Sequence, residues 1–280
     1  MRVIINGDDF GRSTNINAAI IRAHKEGVLT SASLMVAGDA VEDAVALAHA
    51  TPTLAVGLHI VVAGGRSVLP STEIPHLANS SGRLPDNAAS AGARYFLSRT
   101  LQAELAREIK AQFGRFAATG LPMSHVDGHM HMHMVPSVFR MLLPLAQEYG
   151  AAGVRIVQDD LELALRYDRR RALTKVGWAL AFGMLARHGR GQLRGYRLAA
   201  TDRVYGLLQT GQMQEAYVIL VLKQMTIPTA ELYLHPSLVW EGEAMGPNPG
   251  DLATLLSPAV RQVIHERGIQ LVAYPTLRGG

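Results

Sequence analysis

The stretch His125-Val-Asp-Gly-His-Met-His-Met-His133 puts four imidazoles and one carboxylate into nine residues. These side chains bind divalent cations and carry protons near neutral pH. In extended backbone, side chains repeat with period two. His125, Asp127, His129, His131 and His133 are therefore expected on one face, open to a cavity because buried imidazoles and carboxylates need partners. The bland alternative is a solvated, His-rich edge strand. Asp8-Asp9-Phe10-Gly11 follows the β-branched run Val3–Ile5, and adjacent carboxylates there suit one cation ligand and one free base. The same Asp, Gly, Ser13 and Asn15 residues also suit a turn and a helix start. His59 and His235 lie at or near the ends of two further apolar runs, Leu54–Val62 and Ala230–His235. The chain has no cysteine, so a tightly held metal must take His, Asp or Glu.

These residues need a scaffold, and the hydrophobic pattern supplies one. Strands are expected at 3–5, 31–36, 54–62, the His segment, 154–157, 230–235 and 269–273. Helices are expected at 15–27, 41–49, 101–119, 136–150, 212–225 and 255–267. Such alternation implies a parallel sheet. At 280 residues it favours a (β/α) barrel of seven or eight mostly parallel strands over an open sheet, with 1–280 as one domain. The barrel mouth would gather the strand ends that carry the candidate residues.

Two segments break the pattern. Residues 64–92, rich in Pro, Ser, Gly and Asn, read as a long surface excursion. Segment 166–203 carries Arg166, Arg169, Arg170, Arg171, Lys175, Arg187, Arg190, Arg194, Arg197 and Arg203 against Asp168 and Asp202. Leu173, Trp178, Leu180, Phe182 and Met184 are interleaved with them. That mixture suits a helix on an anionic membrane surface, and equally a barrel helix with a basic solvated face. The net charge of +4 and pI near 9.5 permit an anionic partner, but no nucleic-acid module accompanies them. The N-terminal apolar run is too short for a signal peptide, and no transmembrane span is seen. A cytoplasmic protein is expected, peripheral on the inner face of the membrane if 166–203 binds lipid.

In this order the motifs resemble those of the YdjC/ChbG-like carbohydrate deacetylases, relatives of the polysaccharide deacetylases with a distorted (β/α) barrel. The carriers are Asn6-Gly-Asp-Asp-Phe-Gly11, Thr30-Ser-Ala-Ser-Leu-Met-Val36, Gly57-Leu-His-Ile60, His125-Val-Asp-Gly-His-Met-His131 and Leu232-Tyr-Leu-His-Pro236. The hopanoid-biosynthesis-associated HpnK branch is similar in Val68-Leu-Pro70, Thr119-Gly-Leu-Pro122 and Val204-Tyr-Gly206. The resemblance implies Asp9, His59 and His129 as metal ligands, Asp8 as general base and His235 as general acid. His125, Asp127 and His131 are then expected beside the substrate. One divalent ion is implied. Zinc suits a carboxylate and two imidazoles best, with magnesium, manganese, cobalt and nickel as alternatives. The expected reaction is hydrolytic N-deacetylation of an N-acetylglucosaminyl substrate, the headgroup of a hopanoid lipid, by water that Asp8 activates at the metal. The rival readings are a deacetylase of soluble chitooligosaccharides, a phosphoesterase or amidohydrolase with a similar shell, and a non-catalytic sugar-binding module. Amidohydrolases usually place His-x-His on the first strand, where this chain has paired Asp.

Overall fold

Val3-Ile4-Ile5 begins a strand whose residues are buried from Val3 to Phe10. That burial fits the central member of a parallel sheet covered on both faces. In the computed structural model, which describes residues 1–277, eight strands form one sheet. They are β1 (Arg2–Phe10), β2 (Ser31–Leu34), β3 (Ala55–Ile60), β4 (His125–Gly128), β5 (Gly153–Val154), β6 (Arg203–Tyr205), β7 (Thr229–Leu234) and β8 (Gln270–Leu271). All pairings are parallel. The order is β5-β4-β3-β2-β1-β7-β6, with β8 beside the first residues of β1.

The helices are α1 (Thr14–Glu26), α2 (Val41–His49), α3 (Ala88–Leu97), α4 (Arg99–Ala118), α5 (Pro136–Glu148) and α6 (Leu161–Tyr167). They continue with α7 (Ala172–Leu193), α8 (Glu215–Gln224), α9 (Pro249–Leu256), α10 (Pro258–Glu266) and α11 (Tyr274–Leu277). Among the described residues no helix is long and apolar enough to cross a membrane. The close fit of α1 on β1 needs Gly7: a Cβ there would stand 2.9 Å from Leu29 and 3.0 Å from Ile20.

The expected distorted (β/α) barrel of seven or eight parallel strands is found, as a half-barrel open between β5 and β6, and two element expectations change. These edge strands are two and three residues long, too short for a ladder, and Val204 N donating to Gln158 O at 3.1 Å bridges the gap. No strand was expected at β6, whose three residues follow an arginine-rich segment with no alternating pattern. The single helix expected over 255–267 lies within two, because Pro258 lacks the N–H that would continue α9 and instead starts α10.

The 64–92 excursion has no regular element until α3 begins at Ala88, yet it is tied down. Glu108 accepts from Val68 N and Leu69 N at 2.8 and 2.9 Å, and Glu104 accepts from His76 N and Leu77 N, both at 2.9 Å. Gln112 joins them one helical turn further on, bonded to the Val61 backbone. Buried carboxylates on α4 thus satisfy loop N–H groups that water cannot reach.

Candidate active site

The register of β1 against β2 shifts between Gly7 and Phe10, and Asp9 takes a φ of +67°. A residue with a Cβ adopts that conformation at a cost of about 1–3 kcal/mol, and such strain gathers at functional sites. The bulge sends two adjacent carboxylates to different places. Asp9 Oδ1 lies 3.1 Å from His129 Nδ1 and 3.5 Å from His59 Nε2. Donor atoms of Asp9, His59 and His129 all stand within 4.8 Å of one another. Three strand ends therefore deliver one carboxylate and two imidazoles to a point, as the sequence pattern suggests.

His59 Nδ1–H donates to Asp127 Oδ1 at 2.8 Å, which turns Nε2 toward Asp9 as the nitrogen that would give up its proton to a bound cation. A carboxylate behind a ligating imidazole is the usual support of a metal site. Burial alone would strip His59 of its proton, yet Asp127, Asp8 and Asp9 hold its pKa up at about 9. Burial also opposes charge on Asp9, but His129, His235 and His59 outweigh it and keep that carboxyl well below the usual range. The pocket attracts positive charge, and its donor set fits a divalent cation such as zinc.

Asp8 is not free, contrary to expectation. Its Oδ1 accepts from Asn6 Nδ2 at 2.7 Å and Arg155 Nη2 at 2.8 Å, and its Oδ2 from Arg155 Nη1 at 2.7 Å. Arg155 is fully buried and also reaches Asp127 at 2.9 Å and Glu231 at 2.8 Å. Burial works against its charge, but Asp127, Asp8 and Glu231 raise its pKa well above the ordinary value. Neither Arg155 nor Glu231 belongs to a motif in the sequence. The signal was there: each is a lone charge inside an apolar strand run, Val154-Arg-Ile-Val157 and Ala230-Glu-Leu-Tyr-Leu234, and such a charge must find a partner.

The His cluster does not share one face. The strand ends at Gly128, and Met130 and His131 take φ values of +51° and +55° in the turn that follows. His129 goes to the triad, and His131 to a cavity wall with Nε2 2.8 Å from Tyr233 Oη. His133 packs inward, its Nε2–H donating to Arg155 O at 3.1 Å. His125 and Asp127, expected beside a substrate, are fully buried and do not line the cavity. His125 stacks on Tyr274 at 4.8 Å and bonds Ser33 Oγ at 3.1 Å. A Cβ on Gly57 would stand 2.4 Å from the His125 ring, which accounts for glycine in Gly57-Leu-His59.

A cavity of about 490 Å³ opens over the triad. Asp9, Arg12, His129, His131 and His235 form its polar side, while Trp178 and Phe182 of α7 form an apolar one. Arg12 Nη1 also holds Asp9 Oδ2 at 3.1 Å. His235 is fixed by its backbone N–H, which donates to Asp251 Oδ2 at 2.9 Å.

The buried imidazoles carry a pH prediction. Burial pushes both His125 and His133 down to about 4, and the Nδ1 of His133 has no partner to receive an added proton. The unfolded chain binds those protons near pH 6.5. The stability they contribute is therefore complete above about pH 6.5 and is lost as pH falls toward 4, on the order of 3 kcal/mol for each group. Urea midpoints should fall steeply over that window, and less steeply in His133→Asn. A flat profile in the parent would count against the burial argument.

A sequence model of the family described as YdjC-like protein matches residues 2–266. A carbohydrate deacetylase of Brevibacillus brevis is 32% identical, covering 99% of this chain and 100% of its own length. One of Geobacillus stearothermophilus is 31% identical over 97% of this chain and 96% of its own. A chitooligosaccharide deacetylase of Serratia marcescens is 27% identical over 98% of both. The crystal structure of an Enterococcus faecalis protein, described as a candidate cellobiose-phosphate cleavage protein, superposes with a TM-score of 0.75 at 22% identity. It covers 99% of this chain and 98% of its own, a likeness of fold.

Proposed function

The chain belongs to the YdjC-like family, and from that we propose that it is a metal-dependent carbohydrate N-deacetylase acting on an N-acetylglucosaminyl substrate, the sugar headgroup of a hopanoid lipid. The observation that carries the reading is the meeting of Asp9, His59 and His129, two of which, Asp9 and His129, line a cavity with His235. Those three residues would hold a divalent cation, zinc by donor chemistry, which when bound supplies Lewis acidity toward the acetamide carbonyl and makes water a better nucleophile.

The remaining work falls to the chain. Of about four lone-pair positions on the Asp8 carboxylate, Asn6 and Arg155 fill three, leaving one on Oδ2 to take the proton of the attacking water. Arg155 holds that carboxylate aimed through two hydrogen bonds. His235, seated by Asp251, gives a proton to the departing amine nitrogen. His131, held by Tyr233, presents its ring as a wall against the sugar. Trp178 and Phe182 favour a substrate with an apolar portion, and a lipid-borne sugar brings the protein to a bilayer, with 166–203 as the contact. Soluble chitooligosaccharides are the second reading, supported by relatives that carry that name.

Acetate release tests the proposal, measured on chitobiose and on an N-acetylglucosaminyl lipid in vesicles, with metal content determined on the same preparation. Acetate is expected from the lipid in excess of chitobiose, lost with a chelator and restored by zinc. Acetate from chitobiose alone would select the soluble substrate. Bound metal with acetate from neither would end the deacetylase reading, and phosphate release from a phosphoester would replace it with the phosphoesterase.

A further inference from the structure

Helix α7 is apolar on two opposite sides. Trp178 and Phe182 line the cavity. Leu173, Leu180 and Met184, spaced seven and four apart, fall on a single stripe across the helix from them, and these are 89%, 65% and 67% exposed. An isolated exposed leucine is ordinary; a stripe of three on one helix is not. Exposed arginines stand at both ends of the stripe: Arg169, Arg170 and Arg171 before α7, Arg187 and Arg194 along and after its last turns. The loop that contributes Glu243–Gly246 to the same cavity also exposes Trp240 and Met245.

We propose that α7 lies in the headgroup boundary of an anionic lipid bilayer, its outer stripe immersed, its flanking arginines on lipid phosphates, and its inner face serving as the wall along which a membrane-borne sugar enters the cavity. The charge selects this occupant. A second copy of the chain would bring the same arginines face to face, whereas an anionic bilayer neutralises them and takes up the leucines. Exposed Trp240 and Met245 would supply a second apolar contact with the same surface. The purpose of this docking rests on the glycolipid reading, but vesicle binding is measured without turnover.

The test is co-sedimentation of the full chain with vesicles of phosphatidylcholine, and of phosphatidylcholine mixed with phosphatidylglycerol. The parent should bind the mixed vesicles, less as salt is raised. The double variant Leu180→Glu/Met184→Glu should bind them roughly tenfold or more weakly with an unchanged melting temperature, since both side chains face solvent. Its acetate release from soluble chitobiose should equal the parent's. Failure of the parent to bind, equal binding by the variant, or a parent dimer that the substitutions dissolve without any vesicle binding would each overturn the proposal. Vesicle binding by a chain that releases no acetate would leave the docking surface standing and remove only the deacetylase.

Discussion

Asp8→Asn is expected to lower acetate release by about 10²–10⁴-fold, the span over which a positioned proton acceptor contributes, while metal content stays at the parent's value. The amide nearly matches the carboxylate in shape and its oxygen can still accept from Asn6 and Arg155 Nη2, but its NH2 then faces Arg155 Nη1–H, so the urea midpoint is measured beside turnover to show that the variant is folded under assay conditions. The amide has no anionic oxygen left to take a proton. His129→Ala forms the contrast: it removes a donor from the triad, so both metal and turnover should be lost. Metal analysis beside single-turnover acetate release reads the two effects apart. Turnover in Asp8→Asn equal to the parent's would remove Asp8 from the chemistry, and loss of metal from it would make Asp8 part of the ligand shell.

The second large effect is expected at Arg155. Its guanidinium is the shared cation of Asp8, Asp127 and Glu231, all buried with it. Arg155→Met leaves three carboxylates facing one another out of reach of water. Breaking a buried ion pair from one side costs about 3–5 kcal/mol, so the urea midpoint at neutral pH should fall accordingly. Part of the loss should return as pH is lowered, because carboxylates without their cation take up protons. Turnover should fall to the level of Asp8→Asn, since the base has lost its anchor. Arg155→Lys should rescue little: an ammonium is a point charge and cannot fork across two oxygens of Asp8 while touching Asp127 and Glu231. A stable, active Arg155→Met would show that the network does not hold the base.

Much of this was legible in the chain itself. Apolar runs ending at Asp8-Asp9, His59 and His235, separated by helical periods, are a local property. Period-two and period-3.6 patterns report which residues face the interior whatever the partners are. The strand-and-helix alternation, the parallel sheet and the residue types of the triad follow from them, and the order of the motifs carries the family. The long amphipathic helix, expected at 101–119 and found as Arg99–Ala118, was readable for the same reason.

The division of labour between neighbours was not. Where two adjacent carboxylates point depends on a bulge and a +67° φ at Asp9, which no pattern of side chains announces. The His cluster looked like one face because period two assumes that the strand continues, but it stops at Gly128 and the next residues fan out. Arg155 sits 147 positions from Asp8 in the chain, and no local rule pairs charges at that distance. What the sequence by itself determined, then, was the set of elements and the kinds of groups at their ends. Only the tertiary structure decided which group faces the cavity and which is buried as its support, because that choice follows from long-range electrostatic pairing and backbone strain, and both exist only once the chain has folded.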